Sequence, residues 1–446
     1  MTAAGKGRDA RAELLALYDA AVAAAHPDIC LPAHLPPLRA DGRLFVVGAG
    51  KAAAAMAVAA EVHYRSLGVL DRITGFTTAP HGTPEVLKGE RPRSIEIISS
   101  RHPTPDESSV LAAERALELV GKATERDLVL VLLSGGASAL WAAPAGGIEL
   151  TAKTALTRGL LKCGADIHEM NTVRRHISRI KGGRLRKATQ ARMLTLAISD
   201  VPGDDPATIG SGPTVPDPTT LADARAVLER RRPAMEALGL AVPASVAAAL
   251  TDPANETPKP DDVAFASAEH RIIATPAAAL RAAADLARRQ GYAVMDLGDA
   301  ITGEARDVAH AHARLALDAK AADRRVAIMS GGELAVTVRS AEGRGGRCQE
   351  YALALAIALE SSGQETAGIA ALAADTDGID GGEGKVTDPA GAVIDATTLA
   401  QLRHLAAKKF LDTNDATSFF EAAGGLIVCG PTHTNVNDFR VILVDS

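Results

Sequence analysis

Short apolar runs alternate with longer alanine- and leucine-rich stretches along almost the whole chain. The short runs are rich in Val, Ile, Leu and Thr, which is typical of strands that are buried in a sheet. The predicted strands are RLFVV, ITGFTT, SIEIIS, LVLVLL, MLTLAIS, RIIAT, YAVMDL, RVAIMS, GIAALAA and GLIVCG. Because strands that alternate with helices require crossover connections, the pattern predicts an α/β fold with largely parallel or mixed sheets.

The N-terminal pattern predicts an amphipathic helix rather than a signal peptide. One helical face carries the apolar residues Leu14, Leu17, Tyr18, Ala21, Val22 and Ala25. Asp19 interrupts the apolar run that a signal peptide needs, and no apolar run in the chain reaches the ~20 residues of a membrane span. We therefore expect a cytoplasmic protein.

The length of the chain predicts two domains. A chain of 446 residues is too long for one ordinary hydrophobic core and long enough for two. Residues 252–262, DPANETPKPDD, are rich in proline and aspartate and are the best linker candidate. We expect a Rossmann-like N-terminal domain over residues 1–262 and a second α/β domain over residues 263–446.

Charge and composition argue against nucleic acid and membranes as partners. The net charge is -6 and no long basic tract is present, while aromatic residues make up only 3% of the chain, which leaves few platforms for base stacking. Cys30, Cys163, Cys348 and Cys429 show no CxxC spacing. They are therefore interpreted as reduced thiols rather than as a disulfide framework or a zinc site.

Polar residues and glycines follow several predicted strands, at the sheet edge where open parallel sheets bind ligands. In the first half they are Gly48, Gly50 and Lys51, then Ser134, Gly135 and Gly136, then Ser199, Asp200, Gly203, Asp204 and Asp205. In the second half they are Ser330, Gly331, Gly332 and Glu333, then Asp375, Asp377 and Asp380. Glycine pairs at strand-to-helix turns let backbone N–H groups bind phosphate, although glycines can also serve a tight turn alone.

The stretch RLFVVGAGKAAAAMA, residues 43–57, fits the dinucleotide fingerprint G-x-G-x-x-G/A. A nicotinamide site also needs an acidic residue at the end of the second strand for the ribose, but that strand ends in TTAPHG. Lys51 stands at a helix start, where the dipole disfavours a cation. It therefore indicates a bound anion, unless it is an ordinary surface lysine.

Three further groups could carry chemistry. Asp200 and the segment ADTDGIDGG supply hard carboxylate ligands of the kind that Mg²⁺ uses beside nucleotide phosphates, or a general base, and Asp380 could simply cap a turn. Residues 170–188 predict a basic helix, either a site or a solvated face, with Asn171, Arg175 and Arg179 on one side. Arg347 follows a glycine pair and could clamp a carboxylate or neutralise a transferred phosphoryl group.

Together these motifs resemble the class II glycerate 2-kinases, whose C-terminal region is called the MOFRL domain. The resemblance covers nearly the full length and is carried by VVGAGKAAAAMA, RHPTPDESS, LLSGGASALW, MNTVRRHISRIKGGRL, ISDVPGDDPATIGSGPTVPDPTT, SGGELAVTV, GRGGRCQE and AADTDGIDG. It implies ATP-dependent phosphorylation of D-glycerate at the 2-hydroxyl group, with Mg²⁺, in a cleft between two α/β domains. Such proteins have also been labelled hydroxypyruvate reductases.

The resemblance places Lys51 and Arg347 at the family's active-site lysine and arginine. It places Ser134, Asn171, Lys181, Asp200 and Glu333 in the surrounding cleft. Cys348 stands where the family commonly has Asn, so it is assigned no role.

The family resemblance and the arguments from individual residues together predict four groups of site residues. They are Lys51, Arg347 and Asp200 for catalysis; Ser134, Asn171, Arg175 and Lys181 for substrate; Gly135, Gly136, Gly331, Gly332 and Glu333 for ATP; and Asp200, Asp375 and Asp377 for the metal. Two other functions remain open at this point: an NAD(P)H-dependent hydroxypyruvate reductase, and a non-catalytic regulator that binds a nucleotide or metabolite.

Overall fold

The chain forms two compact units in a computed structural model that describes residues 9–83, 87, 91–340, 342–395, 397, 398, 400 and 406–445. One unit is Pro27–Ile273, called here the central unit. The other joins Met1–His26 to Ala274–Ser446 and is called the terminal unit. Each unit has its own sheet and its own core.

The central unit is built on a six-stranded sheet in the order β3-β2-β1-β4-β5-β6. The strands are β1 Leu44–Ala49, β2 Ile73–Pro80, β3 Ile95–Ser100, β4 Leu128–Leu133, β5 Arg192–Ile198 and β6 Ala268–Ala274. The pairs from β3 to β5 are all parallel. Every residue of β1 is buried, as expected for a central strand that is covered on both faces.

The described helices of the central unit are Pro27–Cys30, Ala53–Ser66, Glu107–Gly121, Ala137–Leu140, Leu150–Lys162, Ile167–His176, Arg184–Lys187, Leu221–Ala237 and Ala244–Ala249. Ala53–Ser66 and Glu107–Gly121 pack against the sheet, whereas Leu150–Lys162, Ile167–His176 and Leu221–Ala237 pack against one another around a separate apolar cluster. The helix Ala53–Ser66 is largely buried, and its small alanine side chains let it pack closely on the strands. The helix Glu107–Gly121 begins at a capping box in which Asp106 and Ser109 satisfy each other's backbone N–H groups.

The terminal unit has a mixed six-stranded sheet in the order β11-β10-β9-β12-β8-β7. Its strands are β7 Ala293–Asp296, β8 Val326–Ser330, β9 Ile369–Asp375, β10 Gly391–Ile394, β11 Leu426–Ile427 and β12 Asp438–Val444. Strand β12 lies antiparallel between β8 and β9, and β10 is antiparallel to β9. The α/β fold with parallel and mixed sheets is thus confirmed, and β10 and β12 are additional to the predicted strands.

The helices of the terminal unit include one from the N-terminus of the chain. They are Ala10–Ala25, Pro276–Arg289, Ala305–Ala321, Arg347–Ser361, Ala407–Asp412 and Ala416–Ala423. The helix Ala10–Ala25 packs against Pro276–Arg289 and against β9 and β12. Its buried face is Leu14, Leu17, Tyr18, Ala21 and Ala25, as the amphipathic pattern predicted except that Val22 is only half-buried.

The observed units differ from a division at residue 262 in two respects. The apolar face of Ala10–Ala25 is buried on the terminal sheet, so the N-terminal helix does not belong with the central unit. Strand β6 extends the central sheet beside β5, so the chain leaves that unit near Ile273. The segment 252–262 forms short helical turns inside the central unit, where Thr257 and Pro258 contact neighbouring loops.

The predicted basic helix over residues 170–188 is two helices, Ile167–His176 and Arg184–Lys187. The first helix ends at His176, Ser178 then forms an antiparallel bridge with Pro144, and Gly182 and Gly183, with left-handed φ angles of 58° and 80°, precede the second helix. Arg179 therefore does not share a helical face with Asn171. It is exposed and donates to the carbonyl oxygen of Pro144 at 2.9 Å.

In the described part of the chain no single helix is long and apolar enough to cross a membrane, although one bent pair of helices passes that test when taken together. All four cysteines are free thiols.

Candidate active site

The turns after β1 and β4 lock together at one edge of the central sheet. The Ser134 hydroxyl accepts a hydrogen bond from the Ala52 N–H group at 2.9 Å, and the Lys51 N–H group donates to the Gly135 carbonyl oxygen at 2.8 Å. Gly50 has a φ of 140°, and a Cβ atom there would lie 2.1 Å from the Ser134 hydroxyl oxygen. The second glycine of the fingerprint is therefore required by the contact between two turns.

This packing fixes the backbone of Lys51 and determines what Ser134 does. Ser134 is fully buried and its hydroxyl supports the start of the helix Ala53–Ser66, so the structure gives it a positioning role where substrate contact was predicted. The Lys51 side chain is half-buried at the carboxyl end of β1. The Lys51 side chain therefore extends from a rigid turn at the edge of the sheet where parallel sheets bind ligands.

The Ser-Gly-Gly turn after β4 offers backbone donors beside Lys51. Among the described residues, the N–H groups of Gly135 and Gly136 have no acceptor. A Cβ atom on Gly136 would lie 2.9 Å from Nε2 of His102, so glycine is what admits this imidazole next to the turn. The helix that follows, Ala137–Leu140, is a single turn, so its dipole adds little and the two amides act as individual donors.

Asp200 follows β5 at the same edge of the sheet. The register pairs Ala49 with Leu133 and Leu133 with Ala197, which brings the ends of β1, β4 and β5 side by side. Asp200 is half-buried there. The nearby Asp205 is used by its own loop, since its carboxylate accepts from the Ala207 N–H group and the Thr208 hydroxyl.

Asn171 and Lys181 are joined by a chain of hydrogen bonds. The Lys181 ammonium donates to the Ser138 hydroxyl at 3.1 Å, the hydroxyls of Ser138 and Ser211 are 2.6 Å apart, and Ser211 donates to Oδ1 of Asn171 at 3.0 Å. Both Asn171 and Lys181 are buried, at 1% and 2% exposure. The amide nitrogen Nδ2 of Asn171 is buried and has no partner in the described residues.

Arg175 does not have the free guanidinium that its predicted substrate role requires. It donates to the carboxylate of Asp217 at 3.0 Å and to the carbonyl oxygen of Ala207 at 2.6 Å, and Asp217 is fully buried. Because a buried carboxylate without its cation is strongly destabilising, this pair is best explained by the stability of the loop.

In the terminal unit, Arg347 is held between two carboxylates. Its Nε donates to Asp438 and its Nη2 donates to Asp375, each at 2.7 Å, while Nη1 lies 3.5 Å from the exposed carboxylate of Glu333. Arg440 binds the other oxygen of Asp438 at 3.0 Å. Burial acts to lower the pKa of Arg347, but Asp438 and Asp375 outweigh it and raise the pKa, so this guanidinium stays charged.

The acidic segment after β9 does not have the geometry of an all-protein metal site. One oxygen of Asp375 accepts from Arg347 and the other from the Asp377 N–H group at 3.0 Å, so the Asp375 carboxylate fits an arginine partner better than a cation ligand. Asp377 is half-buried, and its Oδ1 accepts from the Ile379 N–H group. No cluster of three or more His, Cys, Asp or Glu residues suited to a metal occurs in the described ranges.

The second Ser-Gly-Gly turn is not followed by the predicted helix. After Glu333 the chain forms a bridge in which Ala335 pairs with Glu304, so it continues extended beside that segment instead of coiling. The Gly331 N–H group already donates to Gly298, and the Gly331 carbonyl accepts from Arg440. The Gly331 N–H group is thus unavailable to a phosphate.

Gly332 and Asp380 serve the architecture around Arg347. A Cβ atom on Gly332 would lie 2.4 Å from the backbone nitrogen of Ile301. Asp380 is buried and accepts from the N–H groups of Cys348 and Gln349 at 3.0 and 2.8 Å, so it caps the helix that Arg347 begins. Burial raises the pKa of Asp380 to about 6 and raises that of the buried Cys348 thiol.

Several residues of these networks were not singled out by sequence reasoning. They are His102, Ser138, Ser211, Asp438 and Arg440. His102, Ser138 and Ser211 lie within the motifs RHPTPDESS, LLSGGASALW and ISDVPGDDPATIGSGPTVPDPTT, but their partners are distant in sequence. Asp438 precedes the apolar run FRVILV, whose pattern is that of a buried strand and could have revealed β12.

Two family models match the chain. Residues 13–251 match a domain described as "Domain of unknown function (DUF4147)", and residues 326–438 match the MOFRL family. A protein of Agrobacterium vitis, provisionally named a hydroxypyruvate reductase, is 45% identical over 98% of this chain and 94% of its own length. The "Glycerate 2-kinase" of Pyrococcus horikoshii is 36% identical over 91% of this chain and 88% of its own length.

A solved structure has the same fold over nearly the whole chain. The crystal structure of glycerate kinase from Thermotoga maritima superposes with a TM-score of 0.82 at 35% sequence identity. The match covers 97% of this chain and 99% of that one.

Proposed function

The chain belongs to the DUF4147 and MOFRL family that includes glycerate 2-kinases, and we propose that it is a cytoplasmic ATP-dependent kinase that converts D-glycerate to 2-phospho-D-glycerate. The observation that carries this proposal is the turn at Lys51. The backbone of Lys51 is fixed at the ligand-binding edge of a parallel sheet, beside the N–H groups of Gly135 and Gly136, which have no acceptor among the described residues. Such a set of donors suits a phosphoryl group.

In the central unit, Lys51 and the amides of Gly135 and Gly136 bind and orient phosphoryl oxygens. Phosphoryl transfer needs little covalent help from a protein, so positioning and charge stabilisation supply most of the catalysis. Asp200 lies at the end of the neighbouring strand and accepts the proton of the attacking hydroxyl or ligates the nucleotide's cation.

In the terminal unit, the carboxylate partners of Arg347 occupy only part of its guanidinium group. Asp375 and Asp438 hold Nη2 and Nε, which leaves Nη1 near the exposed Glu333 and keeps the side chain 26% exposed. A guanidinium oriented by two carboxylates is preorganised to neutralise charge that develops on a transferred phosphoryl group.

The residues present fit Mg²⁺ only as a cation that arrives with ATP. Mg²⁺ in kinases keeps several waters and is bound by one or two carboxylates together with phosphate oxygens, where it offsets phosphate charge. Asp200 and Asp377 are half-buried carboxylates that fit this description, whereas Asp375 is engaged by Arg347. We therefore propose Asp200 and Asp377, and not Asp375, as ligands.

Reduction of hydroxypyruvate is the second candidate, because the Agrobacterium vitis relative has that name. The structure supplies two arguments against it. Strand β2 ends at Pro80 and continues with His81 and Gly82, so the described residues at its end supply no carboxylate for a ribose. The close approach that Gly50 permits is made by Ser134 and not by a ligand.

One pair of assays separates the two candidates. We expect D-glycerate-dependent release of ADP from ATP, and no oxidation of NADH or NADPH with hydroxypyruvate. The product should be consumed by enolase directly, since 2-phosphoglycerate is its substrate. A product that first requires phosphoglycerate mutase would contradict phosphorylation at C2 while leaving a glycerate kinase, and reduction without ADP release would overturn the kinase.

A further inference from the structure

Arg174 is the arginine of the helix Ile167–His176 that has no partner. Within the described residues its guanidinium makes no hydrogen bond and no ion pair, whereas the neighbouring Arg175 is bound by Asp217 and Ala207. The Arg174 side chain is half-buried, and this burial lowers its pKa. A partly desolvated cation without a counter-charge is unfavourable unless something else supplies the negative charge.

Arg174 lies near two buried lysines that also lack a carboxylate. Within the part of the chain that the structure describes, Lys153 donates only to the carbonyl oxygens of Ala143 and Ile177, and Lys181 donates only to Ser138 and Gly210. Burial, with the nearby charges of Arg174 and Arg179, lowers the pKa of Lys153 to about 7. Burial, with the charges of Lys153 and Arg174, also lowers the pKa of Lys181. We call Lys153, Arg174 and Lys181 the basic cluster.

Asn171 presents an unused donor on the same helical face as Arg174. The two residues are three positions apart, which makes them neighbours on the helix surface. An ammonium group donates hydrogen bonds, so the chain from Lys181 runs through the hydroxyls of Ser138 and Ser211 to Oδ1 of Asn171. The buried Nδ2 group of Asn171 is left with two N–H bonds that find no acceptor among the described residues.

We infer that Arg174 and Nδ2 of Asn171 bind an oxyanion of a substrate, and that Lys181 is a positioning residue that fixes the Asn171 amide through Ser138 and Ser211. A planar guanidinium and a directed amide donor match a carboxylate, which is the group that distinguishes a hydroxy acid from a simple alcohol. A nucleotide phosphate has the same acceptor chemistry. The inference rests on the proposed kinase and names the groups by which one of its substrates is recognised.

The Michaelis constants of Arg174→Gln identify the oxyanion. We expect KM for one substrate to rise about 10- to 100-fold with kcat within a few-fold of wild type, as for loss of one hydrogen-bonded charge. If KM rises for D-glycerate, the bound oxyanion is the carboxylate of D-glycerate. If KM rises for ATP, the bound oxyanion is a phosphate of the nucleotide. Unchanged KM values for both substrates overturn the inference. Arg232→Gln, an exposed surface residue in the same unit, is the matched control and leaves both constants unchanged.

A thermal-melting comparison separates binding from folding. Arg175→Gln leaves Asp217 buried without its cation and should lower the melting temperature, whereas Arg174→Gln should leave it unchanged or raise it. Asn171→Asp places a carboxylate beside the basic cluster, so it should preserve or raise the melting temperature while it weakens oxyanion binding. Destabilisation by Arg174→Gln and Asn171→Asp with unchanged binding contradicts the assignment.

The positioning role of Lys181 is tested through its relay. Ser138→Ala breaks the relay with little change of volume, and Asn171→Ala removes the donor itself. Their effects on KM should not add in the double variant, because both act through one amide. Full additivity contradicts the relay.

Binding without turnover keeps this test independent of the kinase activity. Stabilisation of the wild-type protein by D-glycerate alone and by ATP alone is measured by thermal shift, and Arg174→Gln should lose the shift with one of them. If the wild-type protein shows the shift but no ADP release, the oxyanion site stands and the proposed kinase fails. If neither compound shifts the wild type, the site is wrong as well.

Discussion

Lys51 is the residue on which the proposed chemistry depends most directly. Its ammonium group is expected to stabilise charge that is greatest in the transition state, so Lys51→Met should lower kcat about 100-fold or more while KM changes little. The variant should keep the circular dichroism of the wild type, because the turn is held by the Lys51 backbone and by Ser134. Near-normal kcat with a raised KM would make Lys51 an anchor for the ground state.

The buried side chain of Lys153 should make the free energy of unfolding depend on pH. Its pKa is lowered to about 7 by burial and by nearby arginines, so between pH 7 and about 10 the unfolded chain binds a proton that the folded protein does not. The free energy of unfolding should therefore rise with pH across this window, by up to a few kcal/mol from this group. Lys153→Met should reduce that rise, as measured by urea unfolding at pH 7, 8.5 and 10. An identical pH dependence in the variant contradicts the effect.

At the scale of elements, the site depends on contacts between turns. Gly50→Ala should destabilise the central unit by about 2–4 kcal/mol, since the new methyl group meets Ser134 and the φ of 140° disfavours any side chain. Gly68→Ala is the matched control because its φ is also positive, at 69°, but no atom lies within 4 Å of the new Cβ. Its cost should be about 1 kcal/mol in the same urea titration. Equal losses would mean that backbone strain alone explains Gly50.

Elements also show where sequence patterns stop being informative. Residues 170–188 have a helical pattern of basic residues, but Gly182 and Gly183 take left-handed conformations because they pack against the loop at Ser211 and Gly212. Ser330, Gly331 and Gly332 repeat the composition of the turn after β4, yet the chain beyond them pairs with Glu304. In both cases a distant segment overrides the local preference.

At the scale of the whole molecule, we expect activity to require a divalent cation. Excess chelator should abolish ADP release, and Asp200→Asn or Asp377→Asn should need more Mg²⁺ for half-maximal rate if they are ligands. A variant that remains slow at saturating Mg²⁺ marks the general base instead. Asp375→Asn should mainly lower the melting temperature, because it removes a carboxylate that holds Arg347. Full activity in chelator would contradict the cation requirement.

The sequence by itself determined the α/β class, most of the strands and the family. Apolar runs that alternate with helical stretches specify strands, most of which are buried here, and glycines or acids after a strand end lie at the ligand-binding edge of a parallel sheet. That reasoning located Lys51, the turn at Ser134 and Asp200 without knowledge of their partners.

The tertiary structure alone decided which of these side chains have partners. Arg174 and Arg175 are adjacent and chemically identical, but only Arg175 meets the buried Asp217, which is 42 positions away in sequence. Asp375 has the composition of a metal ligand and is engaged by Arg347. The apolar face of the N-terminal helix is likewise buried by a segment that is distant in sequence, namely the terminal sheet. Pairing and burial depend on contacts between residues far apart in the chain, and a local pattern specifies the face or the strand end of a residue but not what lies opposite it.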